Sequence, residues 1–357
     1  MAVSVTVDEN NRRVFKMRDF HLPGRSPVLA QNGLCATSHP LAAKTALNIL
    51  ERGGNAMDAA IAGAVLLGIC EPQMTGIGGD CFVLFSPAGT NEIKAMNGSG
   101  KAPNGLSAEM MRDKGQKVVP TESVDAVTIP GAMDAFCQLS NDWGTLGLET
   151  ILEPAIKYAK EGVPVAPKVA YDWANAVNRL HATATSRFSQ SGQAPKVGDI
   201  FAAPGQAKVL KKIALNGREG FYGGEVAEDM VTSLRALGGA HTLEDFAGQK
   251  AFYTDPIEGH YKGIELVEHP PNGQGATAIL LLNILAQFDI AALDPFGSER
   301  AHLEAEATKL AYDARNRIIA DPNNTTALDE MLSMDTAKRL ATLIDSTKAM
   351  PTKPGLS

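Results

Sequence analysis

The sequence lacks the patterns of a self-sufficient catalyst. Its seven histidines include no HExxH and no i, i+4 helical pair, so zinc chemistry has no signal. No GxSxG elbow, no GxxxxGK(S/T) phosphate loop and no GxGxxG fingerprint is present. Cysteine is scarce: Cys35, Cys70, Cys81 and Cys137 are the only four. None belongs to a CxxC pair and each lies in an apolar stretch, so they read as reduced, buried thiols. Basic clusters are missing too. The formal net charge is −7, with no Lys/Arg run interleaved with aromatics, which argues against a nucleic-acid partner. The longest apolar run, Ala59 to Cys70, falls short of the roughly 20 residues that a membrane helix needs. The opening MAVSVTVDENNRRVF has no basic start followed by an apolar core, so a cytoplasmic protein is expected.

What is present suits a soluble globular protein: hydrophobic residues are 44% and charged residues 20% of the chain. Residues 1–33 read as an irregular N-terminal segment, with Pro23, Gly24 and Pro27 as breakers. Residues 34–340 read as one body. Residues 341–357 read as a flexible tail, given Pro351, Pro354 and Gly355. Ala43, Ala46, Leu47 and Leu50 make one stripe of a helix over Pro40 to Arg52. Asn55 is a cap for a second helix, Ala56 to Ile69, apolar nearly all round, with Asp58 in its first turn. CFVLF (81–85) and EIKAM (92–96) read as strands, 105–250 as mostly helical, and 253–275 as strand and turn. A long helix follows, capped by Ser298, with Leu303, Ala307, Leu310, Ala311, Ala314 and Ile318 as its stripe. The alternation predicts a layered α/β or α+β fold.

Three turn-rich stretches stand out: TGIGGD (75–80), NGSGKAP (97–103) and HPPNGQGA (269–276). In the second, a Gly-Ser-Gly backbone, the Ser99 hydroxyl and the Lys101 ammonium are able to meet an anion. By chemistry alone, an ordinary corner is the favoured reading of each of the three.

Taken together and in order, the segments HPLAAKTALNILERGGNAMDAAIAGAVLLGICEPQMTGIGGDCFVLF, GKAP, IPGAMDAF, NGREGFYGGEVAEDMV, HPPNGQGATAILLLNIL and EAEATKLAYDARNRIIADP carry a family likeness over about residues 34–322. The chain resembles the large subunit of the gamma-glutamyltransferase family of N-terminal-nucleophile hydrolases. The resemblance implies a four-layer αββα sandwich completed by a second chain. It also implies a precursor that cuts itself before a threonine, at about the end of this chain. That threonine leads the small subunit and acts as nucleophile, its own α-amine serving as base. No catalytic residue is then expected in this chain. No metal and no organic cofactor is implied, and the partners are the small subunit and a small-molecule amide, in a heterodimer or a dimer of heterodimers.

One departure bears on substrate. In the transferases of the family, an arginine stands at the position of Ser99 and clamps the glutamyl α-carboxylate with its planar fork. Ser99 has no such fork, and Lys101 offers a point charge. The expected substrate-binding residues are therefore Asn97, Ser99 and Lys101. The expected activity lies on the hydrolase branch, with its cephalosporin acylases and oxamate amidohydrolases. The alternatives are a true gamma-glutamyltransferase or glutathione hydrolase and, in another class, a non-catalytic scaffold or binding chain.

Overall fold

The computed structural model describes residues 5–7, 13–15, 27–189 and 191–351. The chain divides into two compact units, Met1–Ala36 and Thr37–Ser357. In the first unit, β1 (Val5–Val7) pairs antiparallel with β2 (Arg13–Phe15). A short ribbon thus stands inside the segment read as irregular. All of its residues except Arg13 are β-branched or aromatic, and the breakers that drove the expectation come later, from Pro23 onward.

The second unit opens with α1 (Pro40–Glu51) and α2 (Ala56–Cys70). Asn55 closes the turn between them as expected. Its Oδ1 accepts the Met57 and Asp58 N–H groups at 3.0 and 3.1 Å, and the Asp58 carboxylate accepts the Asn55 N–H at 3.1 Å. This reciprocal cap satisfies donors that a helix start leaves open. Asp58 is fully buried and also takes the Thr145 N–H at 2.9 Å, so one carboxylate joins two parts of the helical layer.

Next come strands β3 (Cys81–Phe85) and β4 (Lys94–Gly98). Strand β4 runs two residues later than the expected 92–96. Pairing decides this: Cys81 lies opposite Gly98 and Phe85 opposite Lys94, leaving Glu92 and Ile93 in an exposed connection. Asn97 therefore belongs to a strand, not to the turn after it. Helices α3 (Ala108–Asp113), α4 (Ala132–Trp143) and α5 (Gly147–Glu161) follow. Strands β5 (Val163–Pro164) and β6 (Ile200–Phe201) pair around α6 (Pro167–Ala176) and α7 (Ala182–Phe188). The helical stretch then continues as α8 (Pro204–Asn216), α9 (Glu219–Tyr222), α10 (Gly224–Ala236) and α11 (Leu243–Gly248).

Strand β7 (Phe252–Thr254) returns to pair with β4, giving an antiparallel sheet in the order β3-β4-β7. Strands β8 (Ile257–Tyr261) and β9 (Ile264–Glu268) form a separate hairpin. Its two-residue turn places Lys262 and Gly263 at φ 49° and 83°, the left-handed pair that matches strand twist. Helix α12 (Gly275–Leu285) packs on that hairpin, and α13 (Ser298–Ile318), α14 (Leu328–Leu332) and α15 (Met334–Ala341) pack around α12 or one another. Helix α4 packs on β4 of the first sheet, with α2 against α4; α12 packs on β8 and β9, with α13 against α12. The layers run helix, sheet, sheet, helix, as the αββα expectation requires. No described helix is long and apolar enough to cross a membrane.

Helix α13 buries Leu303, Ala307, Leu310, Ala311 and Ala314, as its periodicity predicts. Its cap differs from the expectation: Gly297 holds that position without a side-chain bond, and Ser298 is already helical. Glu306, buried on the same helix, accepts the Lys309 ammonium at 2.6 Å and the Met350 N–H at 2.8 Å. Lys309 in turn donates to the Met350 carbonyl at 2.8 Å. The stretch read as a flexible tail from 341 is therefore anchored as far as Met350. Residues 352–357 of that tail lie outside the described residues.

Candidate functional site: a turn held between two sheets and a helical layer

The NGSGKAP turn leaves the inner strand β4, and the strand pattern sets its first residue. Asn97 is fully buried opposite Phe82. A buried amide must find partners, and Asn97 finds them forward in its own chain and across to the second sheet. Its Oδ1 accepts the Ser99 N–H at 2.9 Å and the Ser99 hydroxyl at 2.7 Å. Its Nδ2 donates to Asn272 Oδ1 at 2.8 Å, and Asn272 Nδ2 donates to Ser99 Oγ at 3.1 Å. Asn272 lies in the HPPNGQGA loop between β9 and α12. His269, at the start of that loop, donates from Nε2 to the Met96 carbonyl at 3.1 Å and meets the Phe82 ring edge-on at 4.9 Å. The two sheets are thus joined beside Ser99.

The other flank of the turn is tied to the helical layer. Gln249, buried, donates to the Ser99 carbonyl at 3.0 Å and accepts the Lys101 N–H at 3.3 Å. Asp245 accepts the Asn104 N–H at 3.0 Å. Burial acts to raise the Asp245 pKa, but the Asn104 N–H, the Thr242 hydroxyl and the Thr242 N–H outweigh it and hold it below the ordinary value. Arg218 fixes this segment in place. It donates to the Gln249 and Ala247 carbonyls at 2.6 and 2.8 Å, while its Nε meets Asp134 at 2.5 Å. The second Asp134 oxygen takes the Ala251 N–H at 2.6 Å. Tyr222 completes the brace, donating to the Pro130 carbonyl at 2.7 Å and accepting the Asp134 N–H at 3.0 Å. Burial, the largest influence, raises its pKa, so the phenol stays protonated.

Glycines make the close packing possible. A Cβ on Gly100 would collide with the Ile129 carbonyl oxygen, and one on Gly131 with the Gly98 carbonyl. The TGIGGD loop acts in the same place: the Gly79 carbonyl accepts the Gly131 and Ala132 N–H groups at 3.0 and 3.1 Å. That loop therefore holds the start of α4, and the bonds found for it are structural.

The structure brings two of the three expected residues together and sets the third apart. Asn97 and Ser99 share a hydrogen bond. Lys101 is exposed and lines a separate cleft of about 120 Å³ with Asn104, Glu244, Asp245 and Gln249. Asn272, Gln249 and the Asp134–Arg218 pair were not foreseen. HPPNGQGA was visible as a shaped loop, but no spacing tied it to residue 97. Ser99 is bonded to amides and to no base, so it is not an activated nucleophile. Cys81 and Cys137 do not fill that role either. Burial first, and the nearby Asp80 and Asp134 carboxylates second, push each thiol up to about 12. Of the four free cysteines only Cys70 is fully buried; the others are half-buried.

Comparison with known proteins shows the family and the fold. The sequence pattern of the family described as gamma-glutamyltranspeptidase matches residues 42–356. A glutathione hydrolase-like proenzyme of Bacillus subtilis is 33% identical over 318 residues, 88% of this chain and 60% of that protein. An oxamate amidohydrolase proenzyme of Klebsiella pneumoniae is 30% identical over 335 residues, 91% of this chain and 62% of that protein. Among solved structures, the gamma-glutamyltranspeptidase of Helicobacter pylori superposes with a TM-score of 0.84 at 30% identity, covering 92% of this chain and 97% of that one. The cephalosporin acylase of Bacillus halodurans gives 0.83 at 36% identity, covering 93% and 63%. The chain spans about three fifths of the curated relatives' length.

Proposed function

Because the chain belongs to the gamma-glutamyltranspeptidase family, we propose that it is the large subunit of an autoprocessed amide hydrolase acting on a small, carboxylate-bearing substrate such as oxamate or an acylated amine. The nucleophile lies on a second chain from the same precursor. That chain's N-terminal threonine hydroxyl attacks the amide carbonyl, its α-amine takes the hydroxyl proton, and the amine product leaves with a proton. Water then opens the acyl ester and restores the threonine. The proenzyme names of the relatives and their greater length support the two-part reading. So does the first sheet, where Phe82, Leu84 and Phe252 are each 40% exposed and open to cover by further strands.

One observation carries the hydrolase branch. Where a glutamyl α-carboxylate would need a guanidinium, Ser99 is locked between two asparagines, a neutral surface without a fork. Glutathione hydrolysis is the second reading, favoured by the name of the Bacillus subtilis relative. The test is turnover by the full-length precursor, allowed to process itself, on oxamate, an acyl anilide and a gamma-glutamyl anilide. Hydrolysis of the first or second with little of the third supports the proposal. Dominant turnover of the gamma-glutamyl anilide, speeded by a dipeptide acceptor, would replace it with the second reading. No processing and no hydrolysis would leave the chain a scaffold.

A further inference from the structure

The polarity of the ring around Ser99 follows from one unambiguous bond. The Ser99 backbone N–H can only donate, so the Asn97 atom 2.9 Å away is its oxygen. The other Asn97 terminus is then the NH2, and the Asn272 atom 2.8 Å from it is an acceptor, Oδ1. That choice leaves the Asn272 NH2 beside Ser99 Oγ, at 3.1 Å. The Ser99 hydroxyl has a single proton. Asn97 Oδ1 at 2.7 Å cannot donate, so the proton lies there, and the longer 3.3 Å approach to Asn272 Oδ1 is left without one.

Both acceptor sites of Asn97 Oδ1 are filled, and the Ser99 proton is committed inward. Each amide NH2 spends one proton within the ring, and its second has no partner among the described residues. Asn97 is fully buried, whereas Ser99 and Asn272 are partly exposed. Within this ring, the donor on a partly exposed residue is therefore an amide N–H on Asn272, and the only group Ser99 Oγ can offer outward is a lone pair.

We propose that Asn272 is the residue that reads the substrate's acyl end, donating a hydrogen bond to a carboxylate oxygen, with Asn97 the positioning residue that sets the direction of its amide. This rests on the proposed amide hydrolase and adds a specificity determinant to it. Asn272→Asp replaces the donor by an anion of the same shape. Asn97→Asp removes the N–H that holds Asn272 Oδ1 inward and favours the reversed amide, which presents an acceptor instead. Both changes should move preference from an acyl end that accepts to one that donates, although Asn97 never touches the substrate.

The experiment uses the full-length, self-processed enzyme and matched pairs of equal size, oxamate with oxamide and succinamate with succinamide. The expected result is a shift of at least about tenfold in the carboxylate-to-carboxamide ratio of kcat/KM for Asn272→Asp, and a shift in the same direction for Asn97→Asp. Asn272→Ala should lose the preference without inverting it, and it remains informative if the Asp variants fail to process. Calorimetric binding of oxalate and succinate separates this inference from the parent reading. If the unaltered enzyme binds a dicarboxylate, loses that binding about tenfold or more on Asn272→Asp, yet hydrolyses none of the amides, the amide-hydrolase reading fails and the site assignment stands. Unchanged ratios and unchanged dicarboxylate binding in all three variants would overturn the assignment, as would a parent enzyme that binds no dicarboxylate.

Discussion

The turn around Ser99 is held on two flanks by opposite chemistry. Towards the helical layer the anchors are charged: Asp134 and Arg218 lock the backbone that presents Gln249, and Asp245 holds Asn104. Towards the second sheet the anchors are neutral amides, Asn97 and Asn272. The charged flank turns its groups inward. Arg218 meets Asp134 and three backbone carbonyls, and Asp134 uses both of its oxygens. The neutral flank retains an N–H and a lone pair. A buried charge must be paired completely or it destabilises the fold. A neutral amide can leave one site open at lower cost, so recognition is better placed there.

Breaking each flank in turn should expose this division. Arg218→Met in the processed enzyme leaves Asp134 buried without its cation, which typically costs about 3–5 kcal/mol. Asn97→Ala removes a buried neutral hub and should cost about 1–3 kcal/mol. Urea unfolding compares the two directly. Equal losses, or a larger loss at Asn97, would mean that the neutral flank carries the fold as well.

The two flanks were unequally legible in the sequence. The stripe of α13, the Asn55–Asp58 cap and strand 81–85 follow from local periodicity and capping, and the structure has them. Helix α1 forms where expected, but its buried face is Ala42, Thr45, Ala46 and Ile49. Of the expected stripe only Ala46 is fully buried and Leu47 is exposed, because the neighbouring helix α2, not the local pattern, selects the face. Nor does the end of β4 follow from local pattern, because β7, more than 150 positions downstream, pairs with Ala95–Asn97 and helps carry the strand past Met96. That two-residue shift turns Asn97 from a turn residue into a buried hub. Asn272 and Gln249 are invisible for the same reason. Their partners are 173 and 150 positions away, and nothing in either local pattern marks an amide that must be satisfied at such range. Arg218 lay in a segment that carried the family likeness, yet likeness alone did not say what its guanidinium holds.

Acid should loosen one flank and spare the other. The Asp245 pKa is depressed on folding: burial opposes this, and the hydrogen bonds from Asn104 and Thr242 overcome it. A depressed carboxylate contributes stability that is fully present above its unfolded pKa, near 3.8, and is lost as pH falls through the lower folded value. The Asn97–Ser99–Asn272 ring has no titrating group. Amide hydrogen exchange on the processed enzyme, corrected for intrinsic rates, should show Asn104 losing protection below about pH 4 while Ser99 keeps it. Parallel loss at both amides would show that the flanks open as one unit.

The smallest effect is expected at Lys101, which belongs to neither network through its side chain. Its backbone is held by Gln249 and by the Ile129 N–H, but its ammonium is exposed beside Glu244 and Asp245, in a cleft that does not include Asn97, Ser99 or Asn272. A charge placed there acts on an anionic substrate through solvent. At ordinary ionic strength that influence decays over about 8–10 Å. Lys101→Ala should therefore raise KM for a carboxylate-bearing amide by less than about threefold at low salt, and the difference should vanish near 0.5 M salt, where screening is shorter still. The same variant should leave the carboxylate-to-carboxamide preference unchanged, since Asn272 sets it. A tenfold rise in KM that persists at high salt would put the ammonium in direct contact with the substrate. The charged flank would then take part in recognition, and the separation of the two flanks would fail at the residue where it is easiest to test.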